Sequence, residues 1–215
     1  MAPRVALVTG AGVRLGNAIA RDLARHGFRV AAHYRTHRPR GFAAALEADL
    51  ALADGPARLA AAFEPLSVEE TDAAAFDEQM DLNARAPLLL VKALLPLLRR
   101  ARGAVVNVAD VGGGLVAWHG HAAYAASKAA LVRLTECLAL DLAPAVRVNA
   151  VAPGTVLWPE RVPASLRRTL VGRIPLRRTG APADVADAVR YLAAAPFVTG
   201  AVLPIDGGRH LSGRA

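Results

Sequence analysis

Tyr124 and Lys128 lie four residues apart, a spacing that puts both side chains on one face of a helix about one turn apart. An ammonium group held roughly 5 Å from a phenol, at an effective dielectric constant near 20, favours the phenolate by about 3 kcal/mol, or about two pKa units. A phenol with an ordinary pKa of about 10 would then exchange protons near neutral pH. The pair therefore predicts a general acid at Tyr124 whose pKa is lowered by Lys128. The alternative is an accidental spacing on a surface helix.

Lysine is rare in this chain, because Lys92 and Lys128 are the only lysines among 26 Lys and Arg residues. An ammonium is a compact point charge, whereas a guanidinium is a planar fork, so the lysine at position 128 indicates that a compact cation is needed there.

The composition indicates one soluble α/β domain over residues 1–215. The chain has 215 residues, is 54% hydrophobic and contains the single cysteine Cys137, which excludes an internal disulfide and fits a reducing cytoplasm. No signal peptide is expected, and the apolar run at residues 88–98 is too short to span a bilayer. The net charge of +8 favours an anionic small molecule over nucleic acid, because only 5% of the residues are aromatic and the arginines are spread along the chain.

The first 33 residues have the pattern of a dinucleotide-binding unit. A short apolar strand at 5–8 is followed by glycines at Gly10, Gly12 and Gly16, a helix at 15–26 and a second strand at 28–33. Glycines in such a loop let backbone N–H groups approach a pyrophosphate, which lies at the positive end of the helix.

The end of the second strand predicts which cofactor is bound. An NAD site has a carboxylate there for the ribose 2′-hydroxyl, whereas this chain has His33, Tyr34 and Arg35, a set suited to a 2′-phosphate. The sequence thus predicts NADPH. The alternative is a solvated basic turn.

The remainder of the chain continues the alternation of strands and helices. Strands are expected at 43–50, 104–109, 146–151 and 201–205. Helices are expected at 55–63, at 74–100 with kinks at Pro87 and Pro96, at 122–143 and at 184–194. A flexible glycine loop is expected at 112–114, and a mobile lid at 155–179. This alternation predicts a Rossmann-like three-layer sandwich around a central, mostly parallel sheet.

These features together resemble the short-chain dehydrogenase/reductase family over nearly the whole chain. The resemblance rests on the Thr9–Gly16 loop, Asn83, Asn107, the Tyr124/Lys128 pair, Pro153-Gly154-Thr155 and Asp206-Gly207-Gly208. Within the family the chain is most similar to the pteridine reductases. Arg14 stands at the arginine of their glycine loop, His33-Tyr34-Arg35 matches their phosphate-binding segment, and Asp110 replaces the usual serine, fourteen rather than thirteen residues before Tyr124.

The resemblance implies a role for each matching position. Tyr124 would donate a proton after hydride transfer, Lys128 would lower the pKa of Tyr124 and hold the nicotinamide ribose, and Asn83 would hold a water linked to Lys128. Asp110 would assist the proton relay and orient the substrate. The cofactor would contact Gly10, Gly12, Arg14, Leu15, Gly16, His33, Tyr34, Arg35, Asp49, Pro153, Gly154 and Thr155. A homodimer or homotetramer is also implied.

The chain departs from the family between residues 50 and 80. The family has a central strand ending in Asn-Asn-Ala-Gly, and nothing in this stretch matches it, so the sheet is expected to lack or replace that strand. Two functions follow as hypotheses. One is an NADPH-dependent reductase of a C=N or C=O bond, with dihydropterin or dihydrofolate as the favoured substrate and a 3-oxoacyl or other carbonyl substrate as the alternative. The other is a truncated, non-catalytic nucleotide-binding or scaffold protein.

Three other groups of residues are weaker candidates for chemistry. His119 and His121 lack partners for a metal site, Ser127 lacks a paired histidine and acid, and Cys137 lies in an apolar helix. No metal site is expected.

Overall fold

The computed structural model describes residues 4–47, 68, 71–158 and 162–212. Its strands are β1 Arg4–Val8, β2 Phe28–Tyr34, β3 Ala44–Glu47, β4 Ala104–Val108, β5 Arg147–Pro153 and β6 Val202–Ile205. Its α-helices are α1 Arg14–Arg25, α2 Ala73–Met80, α3 Ala86–Ala101, α4 Val111–Gly114, α5 Ala122–Leu142, α6 Ala164–Gly172, α7 Pro182–Ala194 and α8 Arg209–Ser212. The expected helix at 55–63 lies outside the described residues.

The predicted dinucleotide-binding unit is confirmed at its β1–α1–β2 core. β1 and β2 pair in parallel, with Ala6 opposite Val30, and α1 connects them. Gly27 ends the helix with a φ of +81°, a left-handed conformation that glycine adopts without steric cost.

The strands form two separate parallel sheets rather than one. The first has the order β1-β2-β3 and the second the order β4-β5-β6, and no described strand joins β1 to β4. Val5 and Leu7 of β1 are 69% and 38% exposed, and β4 is only half-buried, although strands of a parallel sheet are usually covered on both faces. Within the described residues no strand lies between β1 and β4, as the sequence predicts for a sheet that lacks or replaces one central strand.

Helix α7 links the two sheets. Val185 and Leu192 pack in one buried cluster with Val30 of β2 and Val151 of β5. Arg147 of β5 donates hydrogen bonds at 2.8 Å to the carbonyl oxygens of Leu192 and Ala193, which lie in the last turn of α7, where carbonyls have no partner within the helix. The hydrophobic core thus continues across the gap between the sheets.

The long helix expected at 74–100 is interrupted by a wider turn. Residues Asp81–Arg85 form a π-helical segment between α2 and α3. Pro87 has no N–H and therefore cannot donate a hydrogen bond to the Asn83 carbonyl. In the wider turn before it, the Ala86 N–H donates to the carbonyl oxygen of Asp81. Asn83 lies in this segment. Pro96 is accommodated inside α3.

The glycine stretch at 112–114 is a turn in which Gly112 (ψ 111°) and Gly113 (φ +93°) depart from helical angles, and Asp110 Oδ1 accepts the Gly112 N–H at its start. The segment predicted to be a lid contains helix α6, which has no buried residue. In the part of the chain that the structure describes, no helix combines the length and the apolarity that crossing a membrane requires.

Candidate active site

Tyr124 and Asp110 meet at the carboxyl end of β4. Tyr124 is buried in the first turn of α5, and its hydroxyl donates a hydrogen bond to Asp110 Oδ2 at 2.9 Å. The other carboxylate oxygen of Asp110 accepts the Gly112 N–H at 2.7 Å. The carboxylate therefore reaches the phenol although fourteen rather than thirteen residues separate Asp110 from Tyr124.

The protonation of this pair differs from the expectation. Burial raises the pKa of Tyr124 well above its ordinary value, and the charge of Asp110 and its hydrogen bond raise it further. The expected lowering of the Tyr124 pKa by Lys128 is therefore wrong for this structure, because burial of the phenol and, after it, the charge of Asp110 raise the pKa. Burial also raises the pKa of Asp110, against the hydrogen bonds from Tyr124 and Gly112 and the charges of Lys128 and Arg209, which lower it.

Lys128 exchanges its proton closer to neutral pH than an ordinary lysine does. Its ammonium lies 5.7 Å from the centroid of the Tyr124 ring and donates a hydrogen bond to Val108 O at 3.1 Å. Burial lowers the pKa of Lys128 to about 8, and the charge of Asp110 acts in the opposite direction. Lys128 can therefore gain and lose a proton under physiological conditions.

Asn83 is placed beside the Tyr124 helix by the π-helical segment. Its side-chain amide donates to Ser127 Oγ at 3.1 Å and to Gln79 Oε1 at 3.3 Å. Ser127 is fully buried and donates to the Tyr124 carbonyl oxygen at 2.8 Å. Asn83 therefore fixes the turn that holds Tyr124 and Lys128, and Ser127 has the structural role expected from the sequence.

The glycine loop is folded tightly at the start of α1. A Cβ at Gly12 would overlap the carbonyl oxygen of His37, and a Cβ at Gly16 would overlap that of Gly10. Helix α1 has no side-chain cap and no acidic residue in its first turn, so its N-terminal N–H groups and positive dipole are available for an anion. Leu15 lies in this turn. The loop thus fits a bound phosphate.

Arginines surround a cavity beside this loop. The cavity has a volume of about 410 Å³ and is lined by Gly12, Val13, Arg14, Asn17, Arg21, Arg38, Pro39 and Arg40. A larger cavity, of about 660 Å³, is lined by residues of α1 and α7 and shares Arg14, Asn17 and Arg21 with the first. Only the smaller cavity includes the glycine loop, so it is the candidate site for the cofactor phosphates.

Two expected phosphate contacts point elsewhere. His33 is buried and its Nδ1 accepts the Gly10 N–H at 3.3 Å, while Tyr34 is buried and donates to Glu47 Oε2 at 2.9 Å. Their side chains are engaged within the protein, and Arg38 and Arg40, which sequence reasoning did not select, line the cavity instead. Arg35 is half-buried at the end of β2. Asp49 lies outside the described residues.

The carboxyl ends of β5 and β6 form the opposite side of the site. A Cβ at Gly154 would lie 2.7 Å from Asp206 Cβ, so a glycine allows the two strand ends to approach. Pro153 is the last residue of β5, and Thr155 Oγ1 accepts a hydrogen bond from Arg209 Nη1 at 2.9 Å.

Sequence reasoning missed Arg209 as a functional candidate. Its guanidinium donates a hydrogen bond to Thr155, an expected site residue, and its charge lowers the pKa of Asp110. The available signal was its position just after the last strand, since ligands of open α/β sheets bind at the carboxyl ends of the strands. Within the described part of the chain no cluster of residues has the makeup of a metal site, and His121 stacks on Trp118 with ring centroids 4.0 Å apart.

A family model described as enoyl-(acyl carrier protein) reductase matches residues 43–210 of this chain. The chain is 34% identical to dihydromonapterin reductase of Escherichia coli O6:K15:H31, with 97% of this chain and 98% of that protein covered. That alignment has 240 positions, 25 more than the 215 residues of this chain, so the relative contains segments that are absent here.

Two other similar proteins complete the comparison. Protein FixR of Bradyrhizobium diazoefficiens is 47% identical over 133 residues, which cover 60% of this chain and 48% of that protein. A provisionally assigned NAD(P)-dependent gluconate 5-dehydrogenase from Beutenbergia cavernae, whose structure contains NADP at low occupancy, superimposes with a TM-score of 0.84 at 32% identity over 96% of each chain.

Proposed function

The chain belongs to the short-chain dehydrogenase/reductase family, and we propose that it is an NADP-dependent reductase of a C=N or C=O bond whose substrate is a dihydropterin or dihydrofolate. The observation that carries this proposal is the hydrogen bond between the buried Tyr124 hydroxyl and Asp110, with Lys128 beside them. We further propose a cytoplasmic enzyme that assembles as a homodimer or homotetramer.

The residues around the glycine loop fit NADPH. The uncapped start of α1 suits the pyrophosphate, and the arginines of the smaller cavity, Arg14, Arg38 and Arg40 among them, suit a 2′-phosphate. Among the described residues, those that line this cavity include four arginines and no acidic side chain, a lining that favours a 2′-phosphate over a free ribose 2′-hydroxyl. The solved relative with bound NADP supports the same choice.

The chemistry that NADPH supplies when bound is a hydride, and the protein must supply the proton. We propose Tyr124 Oη as the proton donor, because the hydroxyl is buried and already donates a hydrogen bond to the Asp110 carboxylate. A substrate atom that gains negative charge would compete with Asp110 for this proton. Lys128, whose pKa is about 8, would stabilise the resulting phenolate and then help return a proton to it.

Two observations support a pterin over another carbonyl substrate. Asp110 occupies the position of the usual serine and accepts hydrogen bonds, so it suits a ring N–H, and the E. coli relative aligned over nearly its whole length is a dihydromonapterin reductase. The family model's description favours an acyl thioester instead, which keeps a 3-oxoacyl or other carbonyl substrate as the second candidate.

Enzyme assays can separate these possibilities. We expect NADPH oxidation with dihydromonapterin or dihydrofolate to exceed that with a 3-oxoacyl thioester, and to exceed NADH oxidation under the same conditions. Faster turnover of the thioester would favour the second candidate. Absence of turnover with every substrate, together with absence of NADPH binding in a fluorescence titration, would favour the non-catalytic scaffold, the hypothesis that the gap between the described strands β1 and β4 motivates.

A further inference from the structure

Trp118 packs against the ring of Tyr124. The two ring centroids are 6.1 Å apart and the ring planes meet at 73°, the edge-to-face arrangement that aromatic pairs prefer. Trp118 is 42% exposed, whereas Tyr124 is buried. Because so much of the indole is exposed, formation of the hydrophobic core does not account for this contact.

Trp118 also packs on the turn that binds Asp110. A Cβ at Gly112 would lie 2.7 Å from Trp118 Cε3 and within 3.2 Å of the two neighbouring ring atoms, so a side chain at position 112 would overlap the indole. The Gly112 N–H donates a hydrogen bond to Asp110 Oδ1 at 2.7 Å. The indole therefore contacts the same glycine that binds the Asp110 carboxylate.

His121 fixes the orientation of the indole. Its imidazole stacks on Trp118 with ring centroids 4.0 Å apart and ring planes 9° apart, and its Nδ1 donates to the His119 carbonyl oxygen at 2.9 Å. The backbone N–H of His121 donates to the Trp118 carbonyl oxygen at 3.3 Å, and the His121 carbonyl oxygen accepts the Ala125 N–H at 2.8 Å. The turn that carries Trp118 therefore continues directly into the first turn of α5, which carries Tyr124.

We propose that Trp118 is a positioning residue for proton transfer, which holds the Tyr124 hydroxyl on the Asp110 carboxylate. The two partners of this 2.9 Å hydrogen bond lie on different elements, Tyr124 in α5 and Asp110 at the start of α4. Trp118 contacts both elements, one through the Tyr124 ring and the other through Gly112, so it fixes their separation. The proposal rests on the reductase function proposed above, in which Tyr124 donates the proton.

Three substitutions perturb this packing in different ways. Trp118→Leu removes the indole, Trp118→Phe keeps an aromatic ring, and Gly112→Ala leaves the indole in place but adds a methyl group that overlaps it. Each is also combined with Tyr124→Phe, which removes the hydroxyl and keeps the ring. Phe197→Leu is the matched control, because Phe197 is fully exposed. For each protein, kcat and KM with a dihydropterin are measured, together with the equilibrium constant of unfolding in urea.

We expect Trp118→Leu and Gly112→Ala each to lower kcat about tenfold or more while KM changes less than about twofold, because the proton donor is misplaced. Trp118→Phe should recover at least about threefold of that loss, since a ring still packs on Tyr124. In the Tyr124→Phe protein no hydroxyl remains to be positioned, so Trp118→Leu should lower kcat by less than about twofold. The control should leave kcat unchanged.

Unfolding gives a second readout that needs no turnover. Tyr124→Phe removes a hydrogen bond to a charged group, so it should raise the equilibrium constant of unfolding about tenfold or more in the wild type. It should raise this constant less than about threefold in the Trp118→Leu protein, where the bond is already weakened. A residue that contributes packing alone would leave the cost of Tyr124→Phe unchanged, as Phe197→Leu should. Should Trp118→Leu fail to fold, Gly112→Ala and Trp118→Phe provide the same comparison.

The proposal is overturned if the losses of kcat from Trp118→Leu and Tyr124→Phe multiply, or if Trp118→Leu raises KM and leaves kcat intact. If the wild-type protein reduces no substrate, the unfolding measurements decide. A smaller cost of Tyr124→Phe in the Trp118→Leu protein would then support the positioning role although the reductase function had failed. Equal costs in both proteins would overturn it.

Discussion

Replacing Tyr124 by phenylalanine removes one buried oxygen and tests the proposed proton donor directly. The ring remains packed, because phenylalanine has the same shape without the hydroxyl that donates to Asp110 at 2.9 Å. A positioned general acid contributes roughly 10²–10⁴-fold to rate, so kcat should fall by that factor, which corresponds to about 3–5 kcal/mol.

The contact with Asp110 also predicts that the two residues do not act independently. A hydrogen bond to a charged group contributes about 1.5–3 kcal/mol. The loss of activity caused by Asp110→Asn, expressed as a free energy, should therefore be smaller by about this amount in the Tyr124→Phe protein than in the wild type. NADPH oxidation gives kcat and KM for the four proteins, and fluorescence titration verifies that each still binds NADPH.

Tyr191→Phe is the matched control, because Tyr191 is exposed on α7. It should leave kcat unchanged. The reasoning is refuted if Tyr124→Phe keeps more than about a tenth of the wild-type kcat, or if the costs of the two substitutions simply add.

Three other changes probe the electrostatics, the glycine loop and the core. The pKa of Lys128 is about 8 in the folded protein and 10.5 in a free lysine. Between these pH values the unfolded state binds more protons than the folded state, so the folded state becomes more stable as the pH rises. Urea denaturation should therefore show the wild type gaining stability over Lys128→Met through this pH range. Gly12→Ala places a Cβ against the backbone of His37, and thermal unfolding should report a loss of about 1–3 kcal/mol together with weaker NADPH binding. Leu192→Ala opens a cavity between the sheets and should cost about 2–5 kcal/mol in urea denaturation, since Leu192 is 1% exposed.

Matched controls exist for the last two changes. Gly172→Ala adds a Cβ with no backbone neighbour nearby, and Leu140→Ala alters a side chain that is 81% exposed, so each should change stability by less than about 0.5 kcal/mol. Comparable losses in variant and control would contradict the packing argument. A wild-type stability that falls relative to Lys128→Met above pH 8 would contradict the direction of the Lys128 pKa shift.

The split sheet gives the competing scaffold hypothesis its physical basis. The facing edges of β1 and β4 have no described strand between them, and Val5 is correspondingly exposed. The two halves nevertheless share one core through α7, and the Tyr124 site is assembled on the β4 side. The gap therefore leaves the proposed acid and its partners together.

The sequence by itself determined the groups of the site and the elements that carry them. Tyr124 and Lys128 share a helix face because helical periodicity is local, and the glycine loop follows β1 because tight turning requires glycine at particular positions. The lack of a described strand between β1 and β4 agrees with the sequence, in which residues 50–80 contain no match to the family's central strand.

Tertiary structure alone decided the electrostatics and the partners of these groups. The phenol meets Asp110, which raises rather than lowers its pKa, and His33 turns inward to the Gly10 N–H. Arg209 reaches Thr155 from more than fifty residues away. Desolvation and long-range neighbours set these properties, and both depend on how distant segments pack, which the spacing of residues along a chain does not encode.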